Sequence, residues 1–253
     1  ADADYWQSHH LREKVAAALK NSPSVADRDD AAQQLARSWG NFADLYGRAG
    51  ALGTALHFAE KSRAAHEVLV GNNQANVEYA EDIWNRANQI AELHLCGGSP
   101  VAARTVLDKL PPLPEDDQNH TTKRSVVLRA PLATAHALRA AALAATDAPA
   151  AGERAKEALN LFEGIWAENK GTQSPDIYYF AAVSRAVLAQ SEPNRAAEHR
   201  ARALEALAEA TKLKLRGRNP ECVKQFPVFA ALRDDPIFTA LLKQLDTGAP
   251  HAK

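Results

Sequence analysis

Methionine is absent from the 253-residue chain, even at its first position, and cysteine occurs only twice. The first absence leads to the expectation of a processed product or an excised segment. Two cysteines, Cys96 and Cys222, are too few for a disulfide framework. Each is expected to be a buried small hydrophobe in a reducing compartment, the cytoplasm, with a single bridge left open. An excess of one charge is also missing: 30 Lys and Arg stand against 31 Asp and Glu. That balance removes the general electrostatic drive toward nucleic acid or anionic membrane, so neither is expected as a partner. Long apolar runs are lacking too. The first residues, "ADADYWQSHHLREK", are polar and do not follow the basic, apolar, small-residue order of a secretion signal. The most apolar window, Ala130 to Ala151, carries His136 and Arg139, both costly in hydrocarbon, and reads as a tightly packed helix rather than a membrane span.

What is present is helical material. Hydrophobic residues make up 46% of the chain, enough to bury a sizeable core. They recur at three- and four-residue spacing among Ala, Leu, Glu, Lys and Arg, and no segment alternates as a strand would. Clusters of Gly, Pro, Asn and Ser punctuate the pattern at "NSPS", "RAG", "VGNN", "CGGSP", "LPPLPEDDQN", "TDAPAAG", "NKGTQSP", "SEPN" and "RGRNP". Such breaks imply roughly ten helices joined as antiparallel hairpins.

The hairpins repeat. Residues Ala91 to Leu110 lie over Ala43 to Ser62 at a shift of 48, matching Ala91 to Ala43, Leu93 to Leu45, Gly98 to Gly50, Ala103 to Ala55 and Lys109 to Lys61. The small residues Ala43 and Ala55 would let two helices approach closely, with Trp39, Phe42, Tyr46 and Phe58 filling the space to the next hairpin. Fainter units follow from Pro131, with Gly152 and Ala155 near the close contact, and from Tyr178.

Trp39, Phe42, Ala43 and Tyr46 reproduce the first half of the tetratricopeptide consensus, and Ala55 falls at its second-helix alanine. The chain thus resembles the tetratricopeptide (TPR) family, and in particular the long-repeat arrays that follow the catalytic domain of many bacterial serine/threonine protein kinases. The segments from Asn41 to Leu95, "YYFAAVSRAVLAQ" and "FAALRDDPIFTALLKQL" carry that likeness. The resemblance implies an all-α fold, a right-handed superhelical array of antiparallel helix hairpins. It implies an N-terminal helical segment over residues 1–34, the array with its capping helix over 35–245, and a flexible tail over 246–253. The proline that usually closes a repeat is missing near His66, so the second helix is expected to run to Val70 and stop at Gly71. No glycine-rich phosphate loop, H-R-D-type loop or D-F-G segment accompanies the likeness, which would make this the non-catalytic part of such a kinase.

Chemistry is sparse. None of the nine histidines falls in a metal-binding motif, and His94 with Cys96 lies two residues apart on a helix, on different faces. "DRDD" and "RDDPIF" read as helix starts with acids at the positive end of the dipole, and "PEDDQN" as a solvated loop. The basic stretch "KLKLRGRNPECVK" from Lys212 reads as a helix C-terminus, because no aromatics are interleaved for base stacking. Neither cofactor nor metal is expected.

First helices line the groove of a TPR array. The candidate partner-binding residues are therefore Arg37, Asn41, Asp44 and Arg48 in one unit, with Asn85, Asn88, Gln89 and Glu92 in the next. Asp44 and Glu92 occupy equivalent positions and disfavour an acidic peptide tail. The expected function is a non-catalytic scaffold for a neutral or basic protein segment, the regulatory region of a bacterial kinase being the context the resemblance implies. The alternatives are a small-ligand sensor or enzyme using His57, His94, Cys96 and the acidic groove residues, or a self-associating assembly protein.

Overall fold

A computed structural model describes residues 2–72, 76–111, 123–168, 174–215 and 218–246. Among these residues the chain is all-helical: α1 (Asp2–Leu19), α2 (Val25–Arg48), α3 (Leu52–Asn72), α4 (Val77–Cys96), α5 (Pro100–Asp108), α6 (Lys123–Leu143), α7 (Ala148–Glu168), α8 (Pro175–Ser191), α9 (Ala196–Lys212), α10 (Pro220–Gln225) and α11 (Pro236–Asp246). Residue 35 falls inside α2. The tail from 247 and most of "LPPLPEDDQN" lie outside the described residues.

Local chemistry sets the helix ends. Ser24 and Asn76 cap α2 and α4, their side chains accepting from the backbone N–H of Asp27 and Glu78. Pro100, Pro175, Pro220 and Pro236 open α5, α8, α10 and α11, where a missing N–H costs no helical bond. Asp235 caps α11 through the Ile237 N–H at 2.8 Å.

The C-termini reveal the repeat in backbone geometry. Gly50 and Gly98 both adopt left-handed φ, at 76° and 71°. Around them the bonds correspond one for one: Ala51 N–H to Tyr46 C=O and Ser99 N–H to His94 C=O, at 2.9 and 2.8 Å, then Gly50 to Gly47 and Gly98 to Leu95 at 3.1 Å. The same closure ends α9, where Leu215 N–H reaches Ala210 C=O and Lys214 takes the left-handed position at φ 62°. Glycine serves that position without a Cβ clash in the two clearer units, while the end of α9 tolerates lysine.

Consecutive helices from α1 to α9 pack on one another, and α4 also touches α6 as α6 touches α8. The first helices α4, α6 and α8 of the later hairpins therefore adjoin. Ala43 and Ala55 are fully buried in one cluster with Ala59, Ile90 and Leu93. Ala91 and Ala103 are equally buried in the main cluster, where alanines of α6, α7 and α8 let the helices approach closely. Gly152 serves a neighbouring contact: a Cβ there would come 2.8 Å from Ser191 Oγ, so it brings α7 against the end of α8.

Three expectations need correction. Trp39 and Phe42 do not fill the space to the next hairpin; Phe42 packs on Trp6 of α1 with ring centroids 4.4 Å apart, and His9 lies beside both. Phe58 joins this cluster from α3, stacked on Phe42 and Tyr46. Trp39, Phe42 and Phe58 thus tie the N-terminal helix to the first hairpin, while Tyr46 and Phe58 also pack, as expected, against the cluster to which α4 contributes Ile90 and Leu93. Gly71 does not stop α3, which runs on to Asn72. Finally, the cysteines are not independent hydrophobes. Cys96 and Cys222 form a disulfide, with Cα atoms 5.0 Å apart.

Candidate functional site

A cavity of about 380 Å³ opens between the inward faces of α2, α4, α6 and α8 and is bounded by residues 218–222. The period of α4 explains its polar wall. Glu81, Asn85, Asn88, Gln89, Glu92 and Cys96 recur at intervals of three and four, so one stripe of the helix meets the cavity. Asp44 and Gly47 face them from α2, Pro131 and Thr134 from α6, and Asp176 and Phe180 from α8.

Inside, the charges are arranged in two linked groups. Arg86 Nη1 donates to Gln89 Oε1 at 2.7 Å, and Gln89 Nε2 donates to Asp44 Oδ1 at 2.5 Å. Gly40 makes room for this relay, since a Cβ there would come 2.5 Å from Arg86 Nη1. Burial pushes the Asp44 carboxyl above the usual carboxylate range, against the opposing pull of Arg86, Arg218 and Arg48.

The second group is built on Arg218. Its Nε donates to Glu92 Oε1 and its Nη1 to Asp176 Oδ1, both at 2.7 Å. The guanidinium carbon lies 5.0 Å from the Tyr179 ring centroid and 5.3 Å from that of Phe180. Burial works against the charge, but Glu92 and Asp176 outweigh it and hold Arg218 protonated more firmly than an ordinary guanidinium. Burial likewise raises the Tyr179 phenol well above its usual range, with the Glu92 carboxylate adding to the effect.

The segment carrying Arg218 is pinned across the groove at several points. Asn219 Nδ2 donates to Arg48 C=O at 2.9 Å, while Asn219 Oδ1 caps α10 through the Glu221 and Cys222 N–H groups. Cys222 then joins Cys96 at the end of α4.

Among the described residues that line the cavity, two buried polar atoms, Arg86 Nε and Asn88 Oδ1, have no hydrogen-bond partner. Asn88 is 5% exposed and its Nδ2 donates to Pro131 C=O at 2.8 Å, but its Oδ1 has no hydrogen-bond partner. An acceptor buried in the cavity wall costs about 1–3 kcal/mol unless a donor reaches it.

Of the eight candidate groove residues, Asp44, Asn85, Asn88, Gln89 and Glu92 meet in this cavity. The other three do not line it. Arg37 turns aside to Asp82, with Nε 3.1 Å from Oδ2, and to Glu78. Asn41 is exposed, and Arg48 contributes its backbone carbonyl to the segment beneath. Helical spacing put all four α2 residues on one side, but the cavity meets that helix only near its C-terminal turns. The groups named for a small-ligand site are divided: Cys96, Asp44 and Glu92 line the cavity, whereas His57 is exposed and His94 lies outside the lining. Among the described residues no group of three His, Cys, Asp or Glu is placed to hold a metal, and no helix is long and apolar enough to cross a membrane.

Arg218, Asp176 and Asn219 escaped sequence reasoning. Arg218 belongs to the basic stretch read as a helix terminus, and its role depends on a return across the groove that no local pattern encodes. The available signal was the cysteine count: a lone pair, one member just beyond Arg218 and Asn219, the other closing α4. No family model matches the chain, and neither does any curated protein or solved structure.

Proposed function

We propose that the chain is a non-catalytic binding module, a TPR-like right-handed array whose inner groove takes a neutral or basic segment of a partner protein. The observation that carries this reading is the charge of the cavity wall: among the described residues that line it, Asp44, Glu81, Glu92 and Asp176 stand against Arg86 and Arg218, with Arg48 also acting on Asp44. Such a wall repels acidic tails and attracts Lys or Arg, while Asn88 Oδ1 is available to accept from a partner's backbone N–H. The internal repeat supports the same reading, because stacked hairpins commonly present a continuous recognition surface. A regulatory region of a bacterial kinase is the context suggested by the resemblance.

The disulfide bears on compartment. Two paired cysteines favour an oxidising setting over the cytoplasm expected from the count alone. A free-thiol assay on chain isolated without reductant distinguishes them: no reactive thiol supports the oxidising setting, and two return the chain to a reducing one.

A peptide array tests the groove. Binders should be enriched in Lys and Arg, and Asp44→Asn with Glu81→Gln should weaken that enrichment. Predominantly acidic binders, or an unchanged profile in the double variant, would overturn the reading. Cavity size favours a second one. About 380 Å³ lies within the range of small-ligand sites, and the polar groups converge on it. Saturable binding of a small cationic metabolite without any peptide selection would favour that sensor.

A further inference from the structure

The surroundings of Arg218 form a complete receptor for a guanidinium. Two carboxylates on different helices, Glu92 on α4 and Asp176 on α8, take two separate nitrogens at 2.7 Å. Two aromatic rings from successive residues of α8, Tyr179 and Phe180, lie within about 5 Å of its central carbon. Forked donors and a flat, polarisable cation satisfy both contacts together. The compact ammonium of lysine lacks the fixed fork that reaches two carboxylates from separate nitrogens while its central carbon stays near two rings.

The occupant comes from far away in sequence, 126 residues from Glu92. It arrives on a strap, Arg218–Cys222, that crosses the groove and is joined covalently to α4 through Cys96. Half-buried Cys222 is the more accessible of the two sulfur-bearing residues, with Cys96 6% exposed. The cavity continues beside the guanidinium toward Asp44, Gln89 and Asn88, so a segment can approach the cage from the groove.

We infer that the cage of Glu92, Asp176, Tyr179 and Phe180 is an arginine-recognition site, filled in cis by Arg218 and locked by the Cys96–Cys222 disulfide, so that a partner's arginine takes its place once the bond is reduced. This inference deepens the proposed binding function and rests on it for the identity of the occupant as a protein segment. Reduction by a dithiol balances simply. Two electrons and two protons pass to Cys96 and Cys222, giving two thiols, and the reductant becomes a disulfide. The strap then keeps its hydrogen bond from Asn219 to Arg48 and its ion pairs, but loses its covalent tie to α4. A competing arginine meets a noncovalent rival instead of a tethered one.

Arg218→Ala provides the test, with acetyl-arginine amide as probe and acetyl-lysine amide as control. The vacated cage should bind the arginine probe saturably at millimolar concentration, at least tenfold tighter than the lysine probe, and the probe should raise Tm. Oxidised wild-type chain should bind at least tenfold more weakly than Arg218→Ala. Wild type reduced with dithiothreitol, or Cys222→Ser, should fall between them and show faster amide exchange at residues 218–222. No saturable binding to folded Arg218→Ala overturns the cage. Equal binding by the oxidised wild type places the probe elsewhere and also overturns it. Exchange and affinity unchanged on reduction overturn the lock.

Should Arg218→Ala fail to fold, the Nε–H resonance of Arg218 in the reduced wild type replaces it. Saturating acetyl-arginine amide should move that resonance to a solvent-exposed position, and a fixed resonance overturns the cage. A cage that binds the probe while the peptide array shows no selection would refute the protein partner and leave the guanidinium site standing. The reverse pattern would refute the cage alone.

Discussion

Arg218 Nε sits 2.7 Å from Glu92 Oε1, an ion pair closing a gap of 126 residues, with both side chains less than one-fifth exposed. Neutralising one member leaves the other buried without its partner. Glu92→Gln is therefore expected to lower stability by about 3 kcal/mol, with the remaining contact to Asp176 limiting the loss. Urea unfolding measures it. A change below about 0.5 kcal/mol would mean that solvent screens the pair as it does on a surface.

Close helix approach gives the second prediction. Ala55 and Ala103, equivalent in successive hairpins, are both fully buried. Enlarging either to Leu should cost about 1–3 kcal/mol through displaced neighbours, and the two variants should behave alike. Thermal unfolding checks this; a neutral Ala103→Leu would show slack packing around the short helix α5.

Acid should weaken the fold through His136. Burial lowers its pKa to about 4, helped by Arg139 and Arg154 and opposed by Glu157, whose Oε2 lies 2.9 Å from Nδ1. The folded state then binds fewer protons than the unfolded chain as pH falls below the ordinary histidine value of 6.5. Stability is full above that pH and falls as pH drops toward about 4, by up to about 3 kcal/mol. His136→Gln should flatten the slope between pH 6.5 and 4.5, measured by urea midpoints. An unaltered slope would assign the acid sensitivity to other groups.

The last helix is expected to act as a cap. Phe238, Leu241 and Leu245 of α11 are buried, and α11 packs on α9 and α10. Truncation after Asp234 uncovers the surfaces they protect, and Tm should fall by more than about 5 °C or the chain should aggregate. A soluble truncation with unchanged Tm would show that α11 contributes no packing.

Much of the architecture was written locally. Three- and four-residue spacing, proline at helix starts and glycine at helix ends depend on neighbours within a turn or two, so helices and breaks could be read from residue order. The shift of 48 was legible for the same reason, and Gly50 and Gly98 express it as identical backbone caps. Helical periodicity also put Asn85, Asn88, Gln89 and Glu92 on one face, and all four reach the cavity.

What tertiary structure alone decided is which of those faces meet, and what crosses between them. Arg37 and Asn41 share a stripe with Asp44, yet only Asp44 reaches the cavity, because a neighbouring acid, Asp82, captures Arg37. Trp39 and Phe42 carried a repeat signature but were claimed by Trp6 and His9 of the preceding helix, a choice made by competition for apolar area. Arg218 looked like one cation among several near a helix end. Its burial between Glu92 and Asp176 follows from the chain's return over the groove and the Cys96–Cys222 bond, contacts between residues far apart in sequence. Local order determines helices, caps and stripes because their hydrogen bonds lie within a few residues. Partners across the groove depend on loop closure and on desolvation shared by many distant groups, and only the folded chain settles them.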